Sequence, residues 1–314
     1  MKNNLLYFFI LQCFFYLGCL SKPIESELKK FPIKEPIISN DKSLKIYFPQ
    51  LENENHVIYQ GDGIVVIFPN NEVMVIDGFV PEASDSFIMY LNNLSIKKID
   101  YLIATHYHGD HIGSFSKLIS NFEIGKFYSN GAHTASKSTS ELIETLKSKN
   151  ISENVLKADD ILQIGEVQLV VYSPSLTDED LYNAYYNPGK TARLVNNTCL
   201  VFKIKYNKFS VLFTGDINKN ADKKMCKRYK NELQSNILKL PHHGDYWTAS
   251  SYTLISTVKP DYGIICDSKF LNKFYWNHRI TSRYSLYNVP LLYKNTEGTI
   301  CVESDGSSYN IYSE

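Results

Sequence analysis

Hydrophobic and polar positions follow two rhythms along this chain. From Ser43 onward, short apolar runs of strand length recur, and the stretches between them carry apolar residues at helical spacing. The runs predict strands over 44–48, 63–68, 72–76, 101–104, 167–172, 198–205, 209–213, 236–240, 262–266 and 299–303. Several are continuously apolar, such as Val73-Met74-Val75-Ile76 and Tyr101-Leu102-Ile103-Ala104. That pattern suits strands covered on both faces. Helices are predicted over 82–94, 111–120, 138–148, 218–231 and 249–258. In the first, Phe87, Ile88, Leu91 and Leu94 form one apolar stripe. Strands interspersed with helices imply sheets whose faces are covered by helices, an α/β protein.

The first twenty residues follow neither rhythm. Lys2 precedes an apolar run from Leu5 to Leu20, broken by Gln12. A comfortable membrane span needs about 20 such residues, so the run fits the hydrophobic region of a secretory signal. It ends Tyr16-Leu17-Gly18-Cys19, which resembles a bacterial lipobox with Cys19 as the lipidated residue. An uncleaved N-terminal anchor is the other reading, and both place the protein outside the cytosol, secreted or tethered to a membrane. Residues 20–42, rich in Lys, Glu, Ser and Pro, read as a flexible tether, and 43–314 as the folded domain. The 314 residues allow a sizeable core. Basic and acidic residues balance at 33 each, which argues against sequence-blind nucleic-acid binding by bulk charge and leaves a local basic groove open. Cys199, Cys226, Cys266 and Cys301 show no close pairing motif; Cys199, Cys266 and Cys301 lie in apolar strand-like runs and read as small buried hydrophobes, with a disulfide in an oxidising compartment as the alternative. Nothing in the pattern reports an oligomeric state.

The strongest chemical signal is Thr105-His106-Tyr107-His108-Gly109-Asp110-His111, after the buried strand 101–104 and before a helix. Three imidazoles and a carboxylate this close together are hard to reconcile with packing. Buried imidazoles need partners, and clustered ones raise one another's cost when protonated. A divalent cation resolves the conflict, because neutral imidazole nitrogen and carboxylate oxygen are its ligands.

This HxHxDH segment resembles the signature of the metallo-β-lactamase superfamily, and further segments agree in order. Val75-Ile76-Asp77-Gly78 resembles the strand-ending Asp-Gly before it, and Thr214-Gly215-Asp216 the segment whose aspartate bridges two metals. Leu238-Lys239-Leu240-Pro241-His242-His243-Gly244 is similar to the LKxPHHG segment of one branch, the hydrolase domain of the competence protein ComEC and its soluble relatives. Tyr59-Gln60-Gly61-Asp62, Asn196-Asn197-Thr198 and Asn277-His278 resemble other marks of that branch. Phe79, Asp245 and Arg279 depart from it, standing where a glycine, a serine and a proline are usual.

The resemblance implies an αββα four-layer sandwich holding two divalent ions, zinc or alternatively manganese. It implies His106 and His108 on the first metal, Asp110, His111 and His242 on the second, and Asp216 between them. The histidine that β-lactamases carry near Asn196-Asn197 is missing, and His133 is the candidate for that gap. His243 is the alternative ligand to His242, or contacts substrate. Asp77 orients the histidine loop as an acceptor. His278 contacts a phosphoryl oxygen or gives a proton to the leaving group, so Asp110, His243 and His278 are the catalytic candidates. His56 lies outside every motif. A hydroxide held by two such metals is the implied nucleophile.

Three functions are compatible with this set: a phosphodiesterase or nuclease, a phosphorylcholine esterase acting on envelope polymers or lipids, and a surface lipoprotein that uses the fold for binding. Tyr246-Trp247, Tyr275-Trp276 and the tyrosines at 182, 185 and 186 could stack on a base or enclose a quaternary ammonium; ordinary packing competes for each. The lysine-rich stretch 218–231 reads first as a solvated helix face, and secondly as one facing an anionic membrane or polymer.

Overall fold

The computed structural model describes residues 42–175, 195–266 and 274–314. Residues 1–41, which include the predicted leader and most of the predicted tether, and the tyrosines at 182, 185 and 186 lie outside the described residues, as do the side chains of Tyr275 and Trp276. One sheet is built from β1 (Leu44–Phe48), β2 (Ile64–Ile67), β3 (Val73–Ile76), β4 (Lys98–Ile103), β5 (Glu123–Ser129), β6 (Glu153–Val155), β14 (Ile300–Ser304) and β15 (Tyr309–Ser313), in the order β15-β14-β1-β2-β3-β4-β5-β6. The other contains β7 (Ile161–Ile164), β8 (Val167–Ser173), β9 (Val201–Tyr206), β10 (Phe209–Phe213), β11 (Ile237–Lys239), β12 (Tyr262–Ile265) and β13 (Leu291–Tyr293), in the order β13-β12-β11-β10-β9-β8-β7.

The continuously apolar strands are explained by what covers each face. Successive side chains of a strand point to opposite sides. In β3, Met74 and Ile76 join the core between the sheets, while Val73 and Val75 join the core on the outer face. In β10, Phe209, Val211 and Phe213 face the other sheet and Leu212 faces outward, under helices. The first sheet's outer face is covered by α1 (Ser84–Asn93), α3 (Phe115–Asn121) and α4 (Lys137–Ser148) through Phe87, Leu91, Phe115, Leu118, Leu142 and Leu146. The second sheet's is covered by α5 (Lys219–Tyr229), α6 (Tyr252–Val258) and α7 (Phe274–Ser285) through Met225, Tyr229, Leu254, Ile255, Ile280 and Tyr284. The result is the expected αββα arrangement.

Strands β3 to β6 pair in parallel, as do β10 to β13. Parallel neighbours need crossovers, and the helices supply them. The carboxyl ends of β3, β4, β10 and β11 therefore open into loops at the sandwich edge, where the chemical motifs lie.

The predicted helix 111–120 is split. A short α2 (Gly109–Ile112) ends before α3 begins. The Gly113 and Ser114 amides donate to the Phe79 and Gly78 carbonyls at 2.9 and 3.0 Å. A Cβ at Gly113 would lie 2.4 Å from Pro81 N, so the chain after β3 packs directly into the break. Strands β5, β6, β7, β13 and β15, and helix α7, carry no clear period in the sequence and were not predicted. Cys199, Cys266 and Cys301, expected to be buried, are buried, as is Cys226, and all four are free. Among the described residues, no helix is long and apolar enough to cross a membrane.

One buried carboxylate tests the packing between α5 and α6. Asp222 Oδ2 accepts the Ser251 amide at 2.8 Å, while Oδ1 has no partner among the described residues. Burial pushes Asp222 up to about 6, against the pull of Ser251. A raised carboxyl favours the folded state while protonated, so this contribution is lost as pH rises from about 4, its unfolded value, through about 6. Asp222→Asn keeps the acceptor and removes the charge. Denaturant titrations should find it no more stable than wild type at pH 4 and more stable above pH 6, by at most about 3 kcal/mol. A constant difference across that window would contradict the assignment.

Candidate metal centre

The first half of the site is organised from beneath by Asp77. It follows β3 with left-handed backbone, φ 59°, and its amide donates to the Ile103 carbonyl at 2.8 Å. Parallel pairing of Ile76 with Ile103 places it under the loop that leaves β4. Its carboxylate accepts the Thr105 amide, the Thr105 hydroxyl and His111 Nδ1, each at 2.8 Å. Burial raises the Asp77 carboxyl, and His111 beside it opposes that rise. Because a carboxylate accepts, His111 donates from Nδ1, and its Nε2 faces away from Asp77 with a lone pair.

The second half comes from the other sheet. Asp216 follows β10, and His242 and His243 follow β11 in a tight turn, Pro241–Gly244. Asp216 Oδ2 lies 3.2 Å from His111 Nε2, 3.4 Å from His243 Nε2, 3.8 Å from His242 Nε2 and 3.9 Å from His106 Nε2. His243 Nε2 also lies 3.3 Å from Asp110 Oδ2. His106 Nε2 and His108 Nδ1 are 3.0 Å apart. Two groups of potential ligand atoms result: Asp62, His111, Asp216 and His243, and His106, His108 and Asp216. They share Asp216.

Four of these atoms are buried and have no hydrogen-bond partner among the described residues: Asp62 Oδ1, Asp216 Oδ1, His111 Nε2 and His243 Nε2. Orphaned atoms of this kind are costly and need explaining. Their convergence, and an all-nitrogen-and-oxygen donor set, fit divalent cations. The electrostatics agree. Burial would raise Asp216, yet His111 and His243 hold it well below the usual carboxylate range. Burial would lower His111, yet Asp216, Asp77 and Asp110 drive it well above the usual imidazole range. The same opposition raises His243, whereas burial pushes His106 well down. The site is rich in negative charge and calls for positive charge at its centre.

The sequence profile of the metallo-β-lactamase superfamily matches residues 60–266. The chain belongs to the metallo-β-lactamase superfamily. It is 23% identical over 279 residues to ComE operon protein 3 of Bacillus subtilis (strain 168), covering 82% of this chain and 34% of that protein. It is 22% identical over 254 residues to competence protein ComA of Neisseria gonorrhoeae, covering 77% of this chain and 30% of that protein. The chain thus sits in the ComEC-like branch, and spans about a third of these relatives' length. The metallo-β-lactamase fold protein YhfI from Bacillus subtilis superposes with a TM-score of 0.54 at 11% identity, over 84% of this chain and 100% of that one. That likeness concerns the fold alone. Membership of this superfamily supports hydrolase chemistry at a dimetal site.

Of the residues singled out in the sequence, His106, His108, His111 and Asp216 fall in these two groups, and Asp110 Oδ2 lies beside them, 3.3 Å from His243 Nε2 and 3.9 Å from His111 Nε2. His243 occupies the position beside Asp110 and His111 that the sequence reading gave to His242. Both histidines have left-handed backbone, φ 47° and 51°, which turns consecutive side chains apart. His243 Nδ1 contacts the Cys266 carbonyl at 3.0 Å, which aims Nε2 inward. His242 stays at the rim, half-buried, with its Nε2 3.8 Å from Asp216 Oδ2. His133 is not brought into either group. Its Nε2 contacts Glu153 Oε2 at 2.8 Å, and Glu153 also accepts the Tyr107 and Ser129 hydroxyls. This cluster braces Tyr107, between His106 and His108, and so holds the loop rather than adding a ligand. His278 is exposed on α7, outside both groups, and His56 is exposed against Glu52.

Two residues of the site were not singled out in the sequence. Asp62 is buried beside His243 Nδ1 at 3.2 Å and is ion-paired with Lys239. Burial would raise Asp62, but Lys239 and His243 hold it down. Gly61 makes the approach possible, since a Cβ there, at φ 98°, would lie 1.8 Å from the Asp110 carbonyl oxygen. The signal for Asp62 was its motif, and for Lys239 a lone charge inside the apolar run Ile237-Leu238-Lys239-Leu240.

Asp77→Ala removes all three acceptor contacts without touching the ligand groups. Divalent-ion affinity, read by titration against a chelating dye, should fall about 10- to 100-fold. Unchanged affinity would mean that Asp77 does not orient His111.

Proposed function

We propose that the chain is an exported, metal-dependent phosphodiesterase whose substrate is a nucleic acid. The carrying observation is Asp216, one carboxylate shared by two His/Asp groups. His106, His108 and Asp216 would hold one ion, and His111, His243 and Asp216 the other; of the two carboxylates beside His243, Asp62 is paired with Lys239, which leaves Asp110 to complete the second set as the resemblance implies. Two divalent ions, zinc or manganese, would lower the pKa of a water and polarise a phosphoryl oxygen. The chain's own work is arrangement. Asp77 directs His111, the Cys266 carbonyl directs His243, and Lys239 neutralises Asp62 so that Asp216 is left for the centre. His278 is the proposed donor to the leaving group.

The loop after His243 supports an anionic substrate. Tyr246 is surrounded by cations: Arg283 at 4.3 Å from its ring centre, Lys219 at 5.3 Å and Arg279 at 5.4 Å. Arg279 also lies 5.7 Å from the Trp247 ring, and Trp247 is 59% exposed. Arg283 is buried and donates to the Ala249, Ser250 and Tyr246 carbonyls, and Lys219 donates to those of Tyr246 and Trp247. The Arg279 charge against both rings disfavours a quaternary ammonium there, whereas a base stacked on Trp247 with its phosphate near Arg279 meets no such repulsion. The likeness to competence proteins supports the same substrate. The apolar leader ending at Cys19 supports membrane anchoring.

The test is metal analysis of the full chain, with hydrolysis of bis-p-nitrophenyl phosphate, single-stranded DNA and p-nitrophenyl phosphorylcholine by wild type and Asp216→Ala. The expected result is about two ions per chain, cleavage of bis-p-nitrophenyl phosphate and single-stranded DNA, and loss of activity and of metal in the variant. No turnover with either zinc or manganese would leave a binding protein; preference for phosphorylcholine would replace the nucleic acid. Trp247→Ala should weaken single-stranded DNA binding by about 1–3 kcal/mol and leave the KM for the small diester unchanged. Equal effects on both substrates would deny Trp247 a stacking role.

A further inference from the structure

His242 lies at the rim of the centre, and its ring is held by a short chain of polar contacts. The carboxylate of Asp245 accepts the Trp247 and Thr248 amides, each at 3.1 Å, and the Thr248 hydroxyl. The Thr248 hydroxyl oxygen lies 2.6 Å from His242 Nδ1. A hydroxyl has one proton and two lone pairs. An ionised carboxylate only accepts, so the Thr248 proton is committed to Asp245. The contact with His242 then requires the imidazole to donate from Nδ1. A neutral ring protonated there carries its lone pair on Nε2, the atom 3.8 Å from Asp216 Oδ2. The backbone fixes the same placement: the His242 amide donates to the Gly215 carbonyl at 3.1 Å, and the Asp245 amide donates to the His242 carbonyl at 2.8 Å.

We propose that Asp245, acting through Thr248, is a positioning residue that fixes His242 in the tautomer with a bare Nε2 directed at Asp216. The usual serine at position 245 lacks the carboxylate needed to commit the Thr248 proton. With that proton free, Thr248 could donate to Nδ1 and leave the hydrogen on Nε2, a ring unable to offer a lone pair toward the centre. The relay thus makes His242 a further imidazole donor beside Asp216.

The test is a long-range proton–nitrogen correlation spectrum of the metal-free, ¹⁵N-labelled full chain, with His242 assigned from His242→Gln. Wild type and Thr248→Ser should show the Nδ1-protonated pattern. Thr248→Val should shift toward the Nε2-protonated form that a free histidine prefers. A proton on Nε2 in wild type, alone or together with one on Nδ1, overturns the proposal, as does an unchanged pattern in folded Thr248→Val. Zinc titration adds a second readout: an affinity loss of about 10- to 100-fold in Thr248→Val, absent in Thr248→Ser. That readout rests on the proposed metal centre and the spectrum does not. A shifted tautomer with unchanged zinc affinity upholds the relay and removes His242 from the centre.

Discussion

Three carboxylates, Asp62, Asp77 and Asp216, are buried at one edge of this sandwich, and the rest of the site is the answer to their charge. Removing an ionised carboxylate from water is expensive unless it is paired and hydrogen-bonded. Each is answered differently. Asp62 takes Lys239, a lysine as buried as its partner. Asp77 takes three donors from one loop and thereby dictates which nitrogen of His111 is free. Asp216 is left facing imidazoles, with an oxygen that no donor among the described residues satisfies. Taken together, the arrangement neutralises the outer carboxylates and concentrates unmet charge on the one that both groups share.

The fold was largely legible because its strongest strands are covered twice. The run Val73–Ile76 reads as a buried strand in sequence and alternates between two cores in space. Elements without that signal were missed for the same reason. Strand β15 lies at the edge of its sheet with partly buried side chains, and β5 begins with half-exposed and exposed residues. The break between α2 and α3 could not be seen either. It arises because the chain after β3 takes two amides that a continuous helix would have used, a contact between segments about 35 residues apart.

In the site, the loop 105–111 was readable because its ligands are consecutive on one turn. The pair His242-His243 was not. Which of two adjacent rings points inward depends on left-handed backbone and on a carbonyl from β12's end, neither of which sequence spacing encodes. His133 shows the opposite failure. It lies close to the loop, but Glu153, from a strand the sequence did not reveal, claims it for support. Asp62 and Lys239 were hidden by distance along the chain: they are far apart in sequence and adjacent only once the sheets have docked.

That docking has a temporal meaning. His106, His108, Asp110 and His111 hang from one sheet, and Asp216, His242 and His243 from the other. A chain in which only β1 to β6 have formed owns half a constellation, without the carboxylate that joins the two groups. Any activity the finished domain possesses is therefore switched on late, by assembly itself. An immature chain would stay chemically quiet toward whatever polymer lies nearby until its second sheet has closed.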